Sequence, residues 1–188
     1  MTEVLLFHHA LGRTPGFLEF AERLREAGHT VHTPDLYEGR TFAELDAGVA
    51  FAEEVGFPEI IARGVAAAAD LPDAIVYAGF SLGALPTQAL TQTRPGATGA
   101  LLFHSSVPTS EFGQPWPSGV PLQIHVMEAD EWGDLEVGRA LAEQIESAEL
   151  YLYPGSGHLF ADPGSPDYEP ECARLLTDRT LAFLGRVP

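Results

Sequence analysis

Residues 74–90 read Ala-Ile-Val-Tyr-Ala-Gly-Phe-Ser-Leu-Gly-Ala-Leu-Pro-Thr-Gln-Ala-Leu. An apolar run, Ala74–Ala78, meets the turn Gly79-Phe80-Ser81-Leu82-Gly83, and a helix-forming stretch follows through Leu90. Strand, tight turn and helix in that order form the setting of a G-x-S-x-G nucleophile elbow. The reason is steric. A serine at the tip of so sharp a turn takes strained backbone angles, and side chains two positions to either side would collide. Glycines at 79 and 83 remove those collisions. The helix start turns free N–H groups toward any negative charge that develops beside the serine. Ser81 is therefore the candidate nucleophile, and the Leu82 N–H a candidate oxyanion donor.

A serine hydroxyl is a weak nucleophile and needs a base that is itself held by an acid. In this setting the partners follow in the order Ser, Asp/Glu, His, each in the loop after a later strand. The apolar run Leu122–Val126 is followed by Met127-Glu128-Ala129-Asp130, and Glu149–Tyr153 by Pro154-Gly155-Ser156-Gly157-His158. Asp130 and His158 are the expected acid and base. Asp134 is the main rival for the acid, although it also suits the N-cap of the helix carrying Val137, Leu141 and Ile145. Glu128 lies too close to its strand. Among the seven histidines, His104 at the end of a strand is the rival base, while His29, His32 and His125 read as structural. The second oxyanion donor belongs in the loop His8-His9-Ala10-Leu11-Gly12, and Ala10 is the choice. The His8-His9 pair has no acidic partner at ligand spacing, so packing beside the site is expected there, with no metal and no cofactor.

Working outward, short apolar runs alternate with helical patterns along the whole chain. Val4–His8, Val31–Thr33, Ala74–Ala78, Ala100–Phe103, Leu122–Val126 and Glu149–Tyr153 make about six strands. Their lack of polar alternation suits strands buried on both faces. Thr14-Pro15 opens a helix that Gly28 stops, Thr41-Phe42-Ala43-Glu44 has the form of a capping box, and a last helix runs from Pro170 to Leu184. The expectation is an α/β-hydrolase fold: one domain over 1–188, with a mainly parallel sheet of about six strands and helices on both faces. The Pro-, Gly- and Ser-rich segment Val107–Pro121 reads as a loop near the active end, and the stretch Glu38–Leu71 as a cover over the site.

Composition narrows the function classes. A formal charge of −17, from 27 acidic and 10 basic residues, repels nucleic acid and anionic membrane surfaces. No apolar run is long enough to cross a bilayer, and Met1-Thr2-Glu3 lacks a basic leader, so a cytoplasmic protein is expected. The single cysteine, Cys172, allows neither an internal disulfide nor a thiolate zinc cluster and reads as a plain helix residue. Nothing in the composition bears on oligomeric state.

The chain resembles the dienelactone hydrolase family over nearly its whole length. Phe7-His8-His9-Ala10-Leu11-Gly12 stands at the oxyanion loop, Pro34-Asp35-Leu36-Tyr37 at a characteristic Pro-Asp-Leu-Tyr segment, Gly79–Gly83 at the elbow and Gly157-His158-Leu159-Phe160 at the terminal histidine loop. The resemblance implies a hydrolase. Three positions depart from it: Ser81 replaces the family's elbow cysteine, His9 its oxyanion-loop glutamate, and Asp162 an arginine that binds a substrate carboxylate. The chain is also short of the family's first antiparallel strands. The expectation is a serine hydrolase that cleaves a small uncharged ester or lactone through an acyl-enzyme, with Asp162 and the negative field opposing a carboxylated dienelactone. An acyl thioesterase and a non-catalytic ligand-binding member of the fold are the alternatives.

Overall fold

The structure is a computed structural model and describes residues 1–187. Six strands, β1 (Glu3–Phe7), β2 (Thr30–His32), β3 (Ile75–Phe80), β4 (Ala97–Phe103), β5 (Leu122–Met127) and β6 (Ala148–Tyr153), form one sheet in the order β2-β1-β3-β4-β5-β6. All five pairings are parallel. Every residue of β3 and β5 is buried, the polar Gln123 and His125 of β5 included, as befits strands covered on both faces. This is the expected α/β-hydrolase arrangement, with a sheet wholly rather than mainly parallel among the described residues.

Helices α1 (Pro15–Glu26) and α6 (Pro170–Leu184) cover one face of the sheet. There Phe17, Phe20 and Leu24 of α1 and Leu176 and Phe183 of α6 pack with Val4, Leu6, Val76, Ala78, Leu101 and Phe103. The other face carries α2 (Leu45–Val55), α3 (Phe57–Ala67), α4 (Ala84–Thr93) and α5 (Leu135–Gln144). Ala52, Ile60 and Leu90 pack there on Leu5, Phe7, Ile75 and Tyr77, and Leu141 packs on Leu122 and Ile124. The strand order reverses between β1 and β3, so the loops leaving these two strands diverge and open a crevice at their C-terminal ends. No helix among the described residues is long and apolar enough to cross a membrane.

Helix ends test the sequence reading most sharply. Thr14 caps α1 as expected, accepting from the Phe17 N–H at 3.2 Å, and Gly28 follows its end with φ of +93°. Thr41 does not cap α2: that helix starts at Leu45, with Glu44 at the cap position and no side-chain cap bond. The Phe42 N–H is taken by the Leu11 carbonyl at 3.0 Å and the Phe42 ring packs beside Tyr37 and Phe51, so residues 41–44 are held against the β1 loop and cannot coil. Asp134 occupies the cap position of α5 in a left-handed conformation (φ +48°), but its side chain makes no cap bond.

Candidate active site

Between β3 and α4 the chain makes a single 3-10 turn, Ser81–Gly83, and Ser81 sits in it with φ of +48°. A serine held there stores about 1–3 kcal/mol of backbone strain, which the packing on either side must overcome. That packing explains the glycines. A Cβ on Gly79 would strike the Gly83 carbonyl, and one on Gly83 would come within 2.6 Å of the Phe7 carbonyl and 2.9 Å of the Phe7 Cβ. The elbow is thus wedged between its own helix and β1.

The loops after β3, β5 and β6 bring three expected residues into one line. The Ser81 hydroxyl donates to His158 Nε2 at 2.7 Å, and His158 Nδ1–H donates to Asp130 Oδ2 at 2.8 Å. Asp130 and His158 are only 7% and 3% exposed. Asp130 Oδ1 accepts from the Trp132 N–H at 2.9 Å, so both carboxylate oxygens are engaged. The His158 backbone is fixed in turn, its N–H donating to Asp167 at 3.1 Å. His158, the base expected from the sequence, meets Ser81; His104 and Asp134 do not. His104 is fully buried, its ring centroid 6.0 Å from that of His158 and edge-on to Phe160. Burial pushes its pKa well below the ordinary histidine value. His125 hydrogen-bonds the Tyr153 hydroxyl at 2.7 Å, and burial brings it down to about 3. Both are neutral core groups at ordinary pH.

The loop after β1 is shaped by its two histidines. His8 donates from Nδ1 to the His9 carbonyl at 2.8 Å and accepts from the Leu36 N–H at 3.0 Å on Nε2, which ties the loop to the Pro34–Tyr37 segment. Burial lowers its pKa to about 4, so the 3.9 Å approach to Asp35 joins a neutral ring to a carboxylate. Asp35 instead folds its own segment, accepting from the N–H groups of Tyr37 and Gly39, and the Tyr37 hydroxyl donates to the Gly48 carbonyl on α2. Gly48 lets α2 lie directly against Ala10, whose carbonyl a Cβ there would strike. Ala10 and Leu82, the expected oxyanion donors, both line the cleft beside Ser81.

His9 and Asp162 are where the structure departs most from expectation. Asp162 does not face the cleft. It is 3% exposed and its Oδ2 accepts from His9 Nε2–H at 2.7 Å and from the Thr14 hydroxyl at 2.9 Å, while Oδ1 accepts from the Gly164 N–H at 2.7 Å. Burial raises its pKa, but the bonds from His9, Gly164 and Thr14 outweigh burial and hold the carboxyl below its ordinary value. Turned inward and satisfied, it cannot repel a substrate by facing it. The pair links the oxyanion loop to the loop that carries His158, because the Leu11 N–H also rests on His9 Nδ1 at 3.3 Å.

Above Ser81 and His158 lies a cleft of about 680 Å³. Its apolar lining is Val49 and Ala52 of α2, Phe57, Pro58 and Ile61 of α3, Leu82, Ala84 and Leu85, together with Trp132 and Phe112. Glu111 and Asp134 are its carboxylates. Glu38–Leu71 thus contributes five lining residues. The sequence reading did not single out Phe57, Glu111 or Trp132. The break at Gly56 (φ +91°) with Pro58 just inside α3 was visible as Gly-Phe-Pro, a helix stop followed by a helix start. Glu111 carried no comparable signal.

Solved structures share this architecture. The dienelactone hydrolase of Anabaena variabilis superposes with a TM-score of 0.72 at 20% identity, covering 99% of this chain and 87% of that one. A dienelactone hydrolase-like promiscuous phosphotriesterase from metagenomic libraries gives 0.78 at 17%, covering 100% and 87%. A cold-adapted esterase from an Arctic intertidal metagenomic library gives 0.70 at 19%, covering 100% and 83%. At these identities the likeness establishes the fold. In sequence, an Azospirillum brasilense protein named as a carboxymethylenebutenolidase is 33% identical over 66 residues, a match spanning 34% of this chain and only 29% of that relative. The model of the dienelactone hydrolase family matches residues 1–187. This chain belongs to the dienelactone hydrolase family and is a hydrolase.

Proposed function

We propose that the chain is a serine esterase or lactonase of small carboxylic esters, working through an acyl-enzyme on Ser81. The observation that carries this reading is the unbroken hydrogen-bonded line Ser81–His158–Asp130, at 2.7 and 2.8 Å, on the floor of an apolar cleft. His158 Nε2 takes the Ser81 proton as Oγ attacks the ester carbonyl carbon. The carbonyl oxygen, now negative, is held by the N–H groups of Ala10 and Leu82, a contribution of about 3 kcal/mol per donor in comparable sites. Collapse breaks the C–O bond, and the leaving oxygen receives the proton from His158. Water then loses a proton to His158 and attacks the acyl carbon, releasing the acid and restoring Ser81. Asp130, hydrogen-bonded to His158 Nδ1, holds the ring in place and steadies the imidazolium. In a lactone the leaving oxygen remains tethered, and the same steps open the ring. The net charge of −17 agrees with a small-molecule substrate and speaks against nucleic acid or an anionic membrane. A panel of p-nitrophenyl esters, lactones and acyl thioesters tests the reading. Turnover of esters or lactones is expected, and failure to turn over any of them in folded protein removes it.

A further inference from the structure

Resting on that reading of Ser81, we propose that the cleft turns anionic esters away and accepts apolar and cationic ones, with Glu111 and Asp134 setting this preference. The apolar side is built by α2 and α3, where Val49, Ala52, Phe57, Pro58 and Ile61 offer no hydrogen-bonding side chain. A charged group placed against that wall would lose its hydration and gain no partner. The remaining sides carry no lysine or arginine, and their formal charges are those of Glu111 and Asp134.

These two carboxylates come from different parts of the fold. Glu111 lies in a 3-10 turn, Thr109–Phe112, after β4, and Asp134 opens α5 after β5. Both are exposed. Neither forms an ion pair among the described residues, where Arg63 pairs with Glu38 and Glu59, Arg94 with Asp73, Arg139 with Glu136 and Arg186 with Glu149. An anionic substrate reaching Ser81 therefore meets two negative charges without a counter-charge, beside apolar walls that weaken solvent screening. The overall field of the chain acts in the same direction on approach. The inward-turned Asp162 contributes charge only at a distance. Asp134 thus has a role the sequence did not suggest: it is neither the triad acid nor a helix-capping side chain but a charged wall of the cleft.

Three p-nitrophenyl esters with one leaving group and acyl chains of similar length isolate the effect: the butyrate, the mono-ester of succinic acid, and the ester of 4-(trimethylammonio)butyric acid. At low ionic strength kcat/KM for the succinate ester is expected to fall at least about tenfold below the butyrate, which corresponds to two carboxylates acting across partly screened distances. The cationic ester is expected within about threefold of the butyrate or above it, since the carboxylates and the exposed Trp132 ring favour a cation. Added salt should narrow the anionic gap. The succinate-to-butyrate ratio should rise in Glu111→Gln and further in Glu111→Gln/Asp134→Asn; asparagine tolerates the left-handed backbone at 134. A ratio near one in the native chain overturns the proposal, as does a ratio that the double variant leaves unchanged. Turnover of the butyrate in either case keeps the ester reading intact, whereas failure of all three esters removes that reading and this proposal together.

Discussion

Replacing Asp162 with alanine isolates the contact between the oxyanion loop and the histidine loop. The carboxylate accepts from His9, Thr14 and Gly164, and it stands at the N-terminus of α1, where negative charge is favoured. Thr14 and Gly164 are near enough to solvent to find water, so their loss is small. His9 is fully buried and loses its only acceptor on Nε2. A buried donor left unpaired costs about 1–3 kcal/mol, and the exposed pair adds about 1, for a total of roughly 3 kcal/mol. For a chain of this length that lowers Tm by about 6–12 °C. The sign of the pH dependence follows from the lowered carboxyl pKa. In the unfolded chain the group protonates near its ordinary value of about 3.9, and in the folded chain only below that. Its stabilisation is therefore fully present above the unfolded value and is lost as pH falls through the folded one. Urea unfolding of native and Asp162→Ala chains should show the full difference above about pH 5 and a shrinking one below about pH 4. A Tm within about 2 °C of native at neutral pH, or a difference that does not shrink in acid, would show that the Asp162 carboxylate does not hold the two loops together.

Three further outcomes follow from the site and the core. Asp130→Asn should reduce kcat by about ten-thousandfold, the scale seen when a triad acid is neutralised, while Asp134→Asn changes butyrate ester turnover far less; the reverse ranking would exchange their roles. Gly83→Ala forces a methyl against the Phe7 carbonyl and should cost roughly 2–4 kcal/mol by denaturant titration, together with loss of turnover. His8 and His125 are held neutral by burial, at about 4 and about 3. Unfolded histidine binds a proton below about 6.5 while these two do not, so stability should fall as pH drops from about 6.5 toward 4, read as a declining Tm. His125→Gln should flatten that decline.

Much of this was legible in the sequence because the decisive signals are local. Gly79-x-Ser81-x-Gly83 between a strand and a helix states its own steric problem, and the order Ser81, Asp130, His158 needs only the rule that partners lie in loops after later strands. β1, β3 and β4 were readable as apolar runs, although β4 began three residues earlier than expected, since Ala97-Thr98-Gly99 is not an apolar run. What stayed hidden depended on distant contacts. Thr41-x-x-Glu44 satisfies a capping pattern, yet Leu11 had already claimed the Phe42 N–H. Asp134 looked like a cap and became a cleft wall. Asp162 looked like a residue facing substrate, because its position invited that reading, but the pairing with His9 across 153 residues turned it inward. No local pattern reports such a partner.

Everything proposed for the cleft depends on Ser81 as nucleophile, and covalent capture reads that residue itself. Incubation of the folded chain with a fluorophosphonate at neutral pH, followed by peptide mass spectrometry, should find one adduct, on the peptide carrying Ser81. It should vanish in Ser81→Ala and form slowly in His158→Ala. Absence of any adduct, or an adduct on another serine such as Ser105 with Ser81 free, would contradict the assignment.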